Sequence, residues 1–214
     1  MFRSFHSLGC NVEPMESTKK HVIEFLNNHK IRYLTWKPSS SMTVEDISLV
    51  LENLKLDSLE IYYEGKQNLS EIRKWWNLDR LEFNFSKKSV GCMSGIQLTE
   101  FSGKVLYLDH CDIRSDDIVK FIRHWMNKHN SRLETLVVDR NHRRLDRNEI
   151  LRAFETKEWD RNERPLDYVR KLPQTSYAFS WNHKDRDLVR EDGMLATIRV
   201  KPRQLYFVIW HKVF

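Results

Sequence analysis

The segment Asp109-His110-Cys111-Asp112 gathers a thiol, an imidazole and two carboxylates within four residues, the ingredients of a nucleophile with its base. Its setting argues against that use. In Leu106-x-Leu108-x-x-Cys111-x-Ile113 the apolar spacing turns Cys111 inward, where cysteine acts as a small packing residue. His124 and His129 stand five residues apart, which on a helix puts them on different sides rather than around one metal. Arg140, Arg143, Arg144 and Arg147 form a basic cluster, readable as a solvated loop or as a contact for phosphate or an acidic partner. No nucleophile elbow, phosphate-binding loop, dinucleotide fingerprint, zinc-protease motif or calcium loop is present. The reading is a protein that is not an enzyme and uses no cofactor and no metal.

The elements that would position such residues repeat. An L-x-x-L-x-L spacing recurs with apolar substitutions at Phe5-x-x-Leu8-x-Cys10, Ile31-x-x-Leu34-x-Trp36, Leu56-x-x-Leu59-x-Ile61, Leu78-x-x-Leu81-x-Phe83, Gly103-x-x-Leu106-x-Leu108 and Leu133-x-x-Leu136-x-Val138. The steps between the middle residues are 26, 25, 22, 25 and 30, mostly inside the window of about 20–29 residues for leucine-rich repeats. In a strand the side chains alternate, so the residues between and just after the apolar ones face the opposite surface. That surface carries Thr35, Glu60, Glu82, Tyr107 and Val137 in one column, and Lys37, Tyr62, Asn84, Asp109 and Asp139 in the next. The strip is acidic with tyrosine anchors. Glu60, Tyr62, Glu82, Asn84, Tyr107 and Asp109 are the candidate partner-binding residues, since tyrosine beside charge suits a protein interface.

Between the strands the apolar spacing is helical. Helices are expected over 17–28, with Val22, Ile23, Phe25 and Leu26 on one side, and over 43–54, with Ile47, Val50, Leu51 and Leu54. A short one is expected over 70–77, and a longer one capped by Ser115 with Ile118, Phe121, Ile122, Trp125 and Met126 inward. Residues 86–103 show no clear helix. After Asp139 the repeat stops. Asp146 starts a further helix, 156–175 reads as a long loop with Pro165 and Pro173, and Tyr177–Trp181 is strand-like. Asp192-Gly193 between two strand-like runs signals a hairpin whose two turn residues have positive φ, and Leu205–Trp210, apolar on both faces, reads as a buried strand. The expected fold class is α/β: a leucine-rich-repeat-like strand–helix solenoid over 1–140, capped by a small C-terminal antiparallel sheet within 141–214.

Composition bounds the rest. With six Gly and five Pro in 214 residues, collagen-like or linker character is excluded. An aromatic content of 12% supplies apolar area against disorder. No long charge-free apolar run and no secretory signal occur, so neither a membrane span nor secretion is expected. Three widely spaced cysteines, Cys10, Cys92 and Cys111, give no disulfide framework and fit an intracellular setting, cytoplasmic or nuclear. The net charge of +6 is concentrated in 141–214, which carry +5 of it. A nucleic-acid or acidic-partner binder using this basic third is the alternative reading, although no nucleic-acid motif accompanies it.

The run Ser115-Asp116-Asp117-Ile118-Val119-Lys120-Phe121-Ile122-Arg123-His124-Trp125-Met126, followed by Asn130–Leu136, resembles the helix-plus-strand core of the type 2 F-box-associated domain of a large nematode group of F-box proteins. Asp187–Ile198 and Phe207–Trp210 resemble its tail. The resemblance implies a protein-interaction module, the substrate-recognition part of a Skp1–cullin–F-box ubiquitin ligase, with a client protein as partner. The N-terminal F-box of that group has no counterpart here, so Skp1 is not expected to bind this chain.

Overall fold

The computed structural model describes residues 7–10, 21, 23–24, 27–29, 31–39, 41–65, 69, 72–86, 95–140, 144–164, 170–171, 178–179 and 184–211. The expectations for Phe5, Val22, Phe25, Leu26, Cys92, Arg143, Tyr177 and Trp181 lie outside these residues, as do the side chains of Cys10 and Arg140.

Nine strands form one sheet: β1 (Ser7–Cys10), β2 (Tyr33–Trp36), β3 (Ser58–Tyr63), β4 (Arg80–Phe85), β5 (Val105–Cys111), β6 (Thr135–Arg140), β9 (Arg186–Val189), β10 (Leu195–Val200) and β11 (Gln204–Trp210). Their order is β1-β2-β3-β4-β5-β6-β11-β10-β9. The first six are parallel and β11 runs antiparallel to both β6 and β10. The expected register is present: Leu34, Leu59, Leu81, Leu106 and Leu136 are successive cross-strand partners, and Phe207 continues the row.

Four helices are described: α1 (Val44–Glu52), α2 (Gly95–Glu100), α3 (Ser115–Met126) and α4 (Arg147–Arg152). The inward stripes of α1 and α3 share one core cluster with the leucine row. Trp125 and Phe121 of α3 meet Phe207 edge-on, with ring centroids 5.2 and 6.1 Å apart. Thr43 and Asp46 make a reciprocal capping box at α1, and Cys111 is buried in the core as the spacing implied.

The connections depart from a regular solenoid, and the fold is a mixed α/β sheet. The shortest repeat step leaves room only for a five-residue 3-10 helix, Arg73–Asn77, where an α-helix was expected. Residues 86–103, read as helix-free, contain α2; its first residue, Gly95, packs against Asp117 of α3, leaving no room for a Cβ. Ser115 is not the cap of α3. Arg114 occupies that position, and the Ser115 hydroxyl instead accepts the Asp146 backbone N–H at 2.9 Å, tying α3 to the start of α4. The C-terminal strands are not a separate covering sheet, because β11 pairs with β6 and extends the parallel sheet. The expected long loop holds β7 (Arg170–Lys171), which pairs with β8 (Ala178–Phe179).

Two local geometries also differ from expectation. In the β9–β10 hairpin only Gly193 has positive φ, at 84°; Asp192 does not. Gly193 N–H donates to Arg190 C=O at 2.8 Å, so the loop is a tight turn followed by a left-handed glycine. His124 and His129 do not diverge. The helix ends at Met126, Lys128 turns back with φ 66°, and the imidazoles stack 4.0 Å apart. Burial, then the neighbouring His129, holds His124 below the ordinary histidine range.

Candidate functional site

The candidate residues do share one sheet face, opposite the leucine row. Thr35, Glu60, Glu82, Tyr107 and Val137 are successive cross-strand partners, and Tyr206 of β11 continues the column; Tyr62, Asn84 and Asp109 form the next column. They do not share one environment.

At β2 and β3 the face is polar and partly open. Glu60 is a hub: the Tyr33 and Tyr62 hydroxyls donate to it at 2.9 and 2.7 Å, and the Thr35 hydroxyl at 3.1 Å. These bonds fix the Tyr62 ring while 41% of the residue remains exposed. The hydrogen bond to Glu60, then burial, pushes the Tyr62 phenol far up, so it stays a neutral donor. Burial foremost raises Tyr33 as well. Lys37, one turn of the pleat beyond, pairs with Glu64 at 2.8 Å.

At β4 the face closes. Glu82 is only 2% exposed and pairs with the buried Arg80 guanidinium. Burial pushes its carboxyl up, against the opposing pull of Arg80. Asn84 is half-buried and its Nδ2 has no hydrogen-bond partner among the described residues. At β5 Tyr107 is likewise 2% exposed, packed with Val105, Val137, Tyr206, Val208 and Trp210 into a second apolar cluster. Asp109 sits 2.5 Å from His110 Nδ1, where the register shifts beyond Leu108 and His110 takes φ 57°. Such a bulge re-aims side chains. Burial raises the Asp109 carboxyl, and the neighbouring His110 opposes it. Asp139 accepts from Gln204 at 2.6 Å.

The expected strip is therefore not one continuous accessible surface. Glu82 and Tyr107 are covered, and the accessible part of the strip is Glu60 and Tyr62. Alternation shows which face a residue is on; it does not show what lies above it.

Two groups on this face were missed. Tyr33, Ser58, Arg80, Val105 and Thr135 form the column before the candidates, and it supplies the partners of Glu60 and Glu82. The same alternation would have found it. At the far end, Asp187 is fully buried and receives the Arg164 Nε at 2.9 Å to each oxygen and the Thr197 hydroxyl at 2.6 Å; Trp210 Nε1 donates to Thr197 at 2.8 Å. Burial raises the Asp187 carboxyl, while Thr197 and Arg164 pull it back. Nothing local in the sequence joins residues 164, 187, 197 and 210.

Among the described residues no three His, Cys, Asp or Glu side chains gather around a possible metal position, and no helix is long and apolar enough to cross a membrane. The family model described as F-box associated matches residues 52–138, from the end of α1 through most of β6. No curated protein and no solved structure matches the chain.

Proposed function

We propose, with residues 52–138 of the F-box associated type as premise, that this chain is a protein-interaction module that recognises a client protein, resembling the substrate-recognition part of a Skp1–cullin–F-box ubiquitin ligase without its own F-box. The client contact centres on Tyr62 and Glu60, flanked by Asn84 and Asp109, with Glu82 and Tyr107 continuing the Glu60 column on the neighbouring strands. One observation carries the placement. Tyr62 presents an exposed aromatic ring on a central strand, and its hydroxyl is already tied to Glu60. An aromatic held in place loses little conformational freedom on binding, the property of an interface anchor. The matched segment contains this whole cluster apart from Tyr33 and Thr35.

The test is affinity capture of a client from cells, followed by direct titration of the purified client. Tyr62→Ala should weaken binding by about 2 kcal/mol or more, the usual range for a central aromatic anchor. An F-box fused to the chain should direct ubiquitination of that client in a reconstituted ligase. Unchanged affinity in Tyr62→Ala and Glu60→Gln, both folded by circular dichroism, would place the contact on another surface.

A further inference from the structure

At the opposite end of the sheet a cavity of about 800 Å³ opens between α4, the segment 158–159, the approach to β9 and the end of β10. Its lining is strongly basic. Arg147 comes from α4, Lys184 and Arg186 from the β9 side, and Arg199 and Lys201 from the end of β10. Among the described lining residues two are carboxylates. Asp185 is engaged by Arg199, with Nε at 2.8 Å and Nη2 at 2.5 Å. Glu158 takes Arg186 at 2.9 Å, yet is itself largely exposed, so water screens that pair. Five cations against two carboxylates leave +3 in one concavity, half the net charge of the entire chain.

The wall is not purely ionic. Trp159 and Leu151 line it as partly exposed apolar surface. Trp159 is held by its indole N–H, which donates to Arg164 C=O at 3.1 Å. A concavity of this size takes a few side chains, within the usual range of about 300–1,000 Å³ for ligand sites. Nucleic-acid backbones instead need an extended positive track with successive stacking platforms. Here the positive charge is gathered around one concavity rather than strung along a track, and the candidate strip on the sheet face carries carboxylates.

We propose that this cavity binds an anionic peptide segment of a protein partner, its acidic side chains meeting Arg147 and Lys201 and a bulky apolar side chain lying against Trp159 and Leu151. The inference rests on the protein-interaction reading above and adds a second contact with its own chemistry. The negative charge comes from carboxylates or from phosphorylated side chains, which share the same recognition.

The experiment is fluorescence anisotropy on the full chain at low salt. The probes are a labelled peptide with glutamates around one leucine, the same peptide with phosphoserines, its glutamine counterpart, and single-stranded DNA of equal charge. At least one anionic peptide should bind and the glutamine peptide should not; the tighter of the two identifies the source of charge. The double variant Arg147→Glu/Lys201→Glu should weaken binding roughly tenfold or more, as reversal at a charge-complementary contact does. Lys55→Glu/Arg123→Glu, of equal net charge and far from the cavity, should change it less than about twofold, as for independent sites. The inference is overturned if neither peptide binds, if both double variants weaken binding equally, or if DNA binds more tightly and loses affinity in the cavity variant. A captured client that depends on Tyr62 but tolerates the cavity reversal overturns this inference alone and leaves the protein-interaction reading standing.

Discussion

Glu60 and Asp187 lie on the same face of one sheet, six strands apart, and each accepts hydroxyl hydrogen bonds from its neighbours. Their partners differ in kind. Among the described residues Glu60 has two tyrosines and a threonine, no cation in hydrogen-bond contact, and an exposed ring beside it. Asp187 has a fully buried guanidinium bonded to both oxygens and no exposure at all. A carboxylate that keeps contact with water needs only hydroxyls around it; one that loses water needs a counter-charge. The comparison separates a site that remains available to a partner from one whose interactions are spent on holding the C-terminal strands together.

The largest expected effect tests the buried end. Arg164→Ala leaves Asp187 buried without its cation and should cost about 3–5 kcal/mol in urea unfolding. The paired replacement Arg164→Met with Asp187→Leu should cost clearly less, and an equal loss would show that the two residues are not energetically coupled. Next in size is the leucine row beneath both ends. Leu106→Ala should cost about 2–5 kcal/mol, and a loss under about half a kcal/mol would mean that the row is not packed. At the open end Glu60→Gln should change stability by about 1 kcal/mol or less, because an amide oxygen still accepts two of the three hydroxyls. A cost matching that of Arg164→Ala would abolish the distinction between the two ends.

The smallest effect concerns a carboxylate outside both. The Arg190 guanidinium, bonded to Asp192 in the hairpin, holds that exposed carboxyl down at about 2. Its contribution is present above the ordinary aspartate value near 3.8 and is lost as pH falls through about 2. Buried Glu82, whose carboxyl is raised, has the opposite sign: its contribution is present at low pH and is lost as pH rises beyond the usual glutamate range. Carboxyl-resolved NMR titration should show the two moving in opposite directions from their ordinary values.

The strand register was legible because one apolar spacing recurred and alternation did the rest. Leu34, Leu59, Leu81, Leu106 and Leu136 could be aligned without any knowledge of the connections. What that spacing lacked was depth. Tyr107 and Tyr62 belong to the same face, and only tertiary packing made one a core residue and the other exposed. The Arg164–Asp187 pair spans 23 residues and depends on β9 joining the far edge through β10 and β11, a pairing that no local pattern encodes. The imidazole stack needed a left-handed Lys128, a conformation that a lysine does not announce.

The place of β11 has a consequence in time. Its first residue follows the last residue of β6 by 64 positions, yet it is the strand that hydrogen-bonds the open side of β6. At ribosomal speeds of about 5–20 residues per second, the gap amounts to roughly 3–13 s. Throughout that interval the nascent parallel sheet has an unpaired hydrogen-bonding margin at β6, flanked by Leu136 and Val138 on one side and Val137 on the other. Shielding that margin until β11 has emerged is therefore expected to lower aggregation during synthesis.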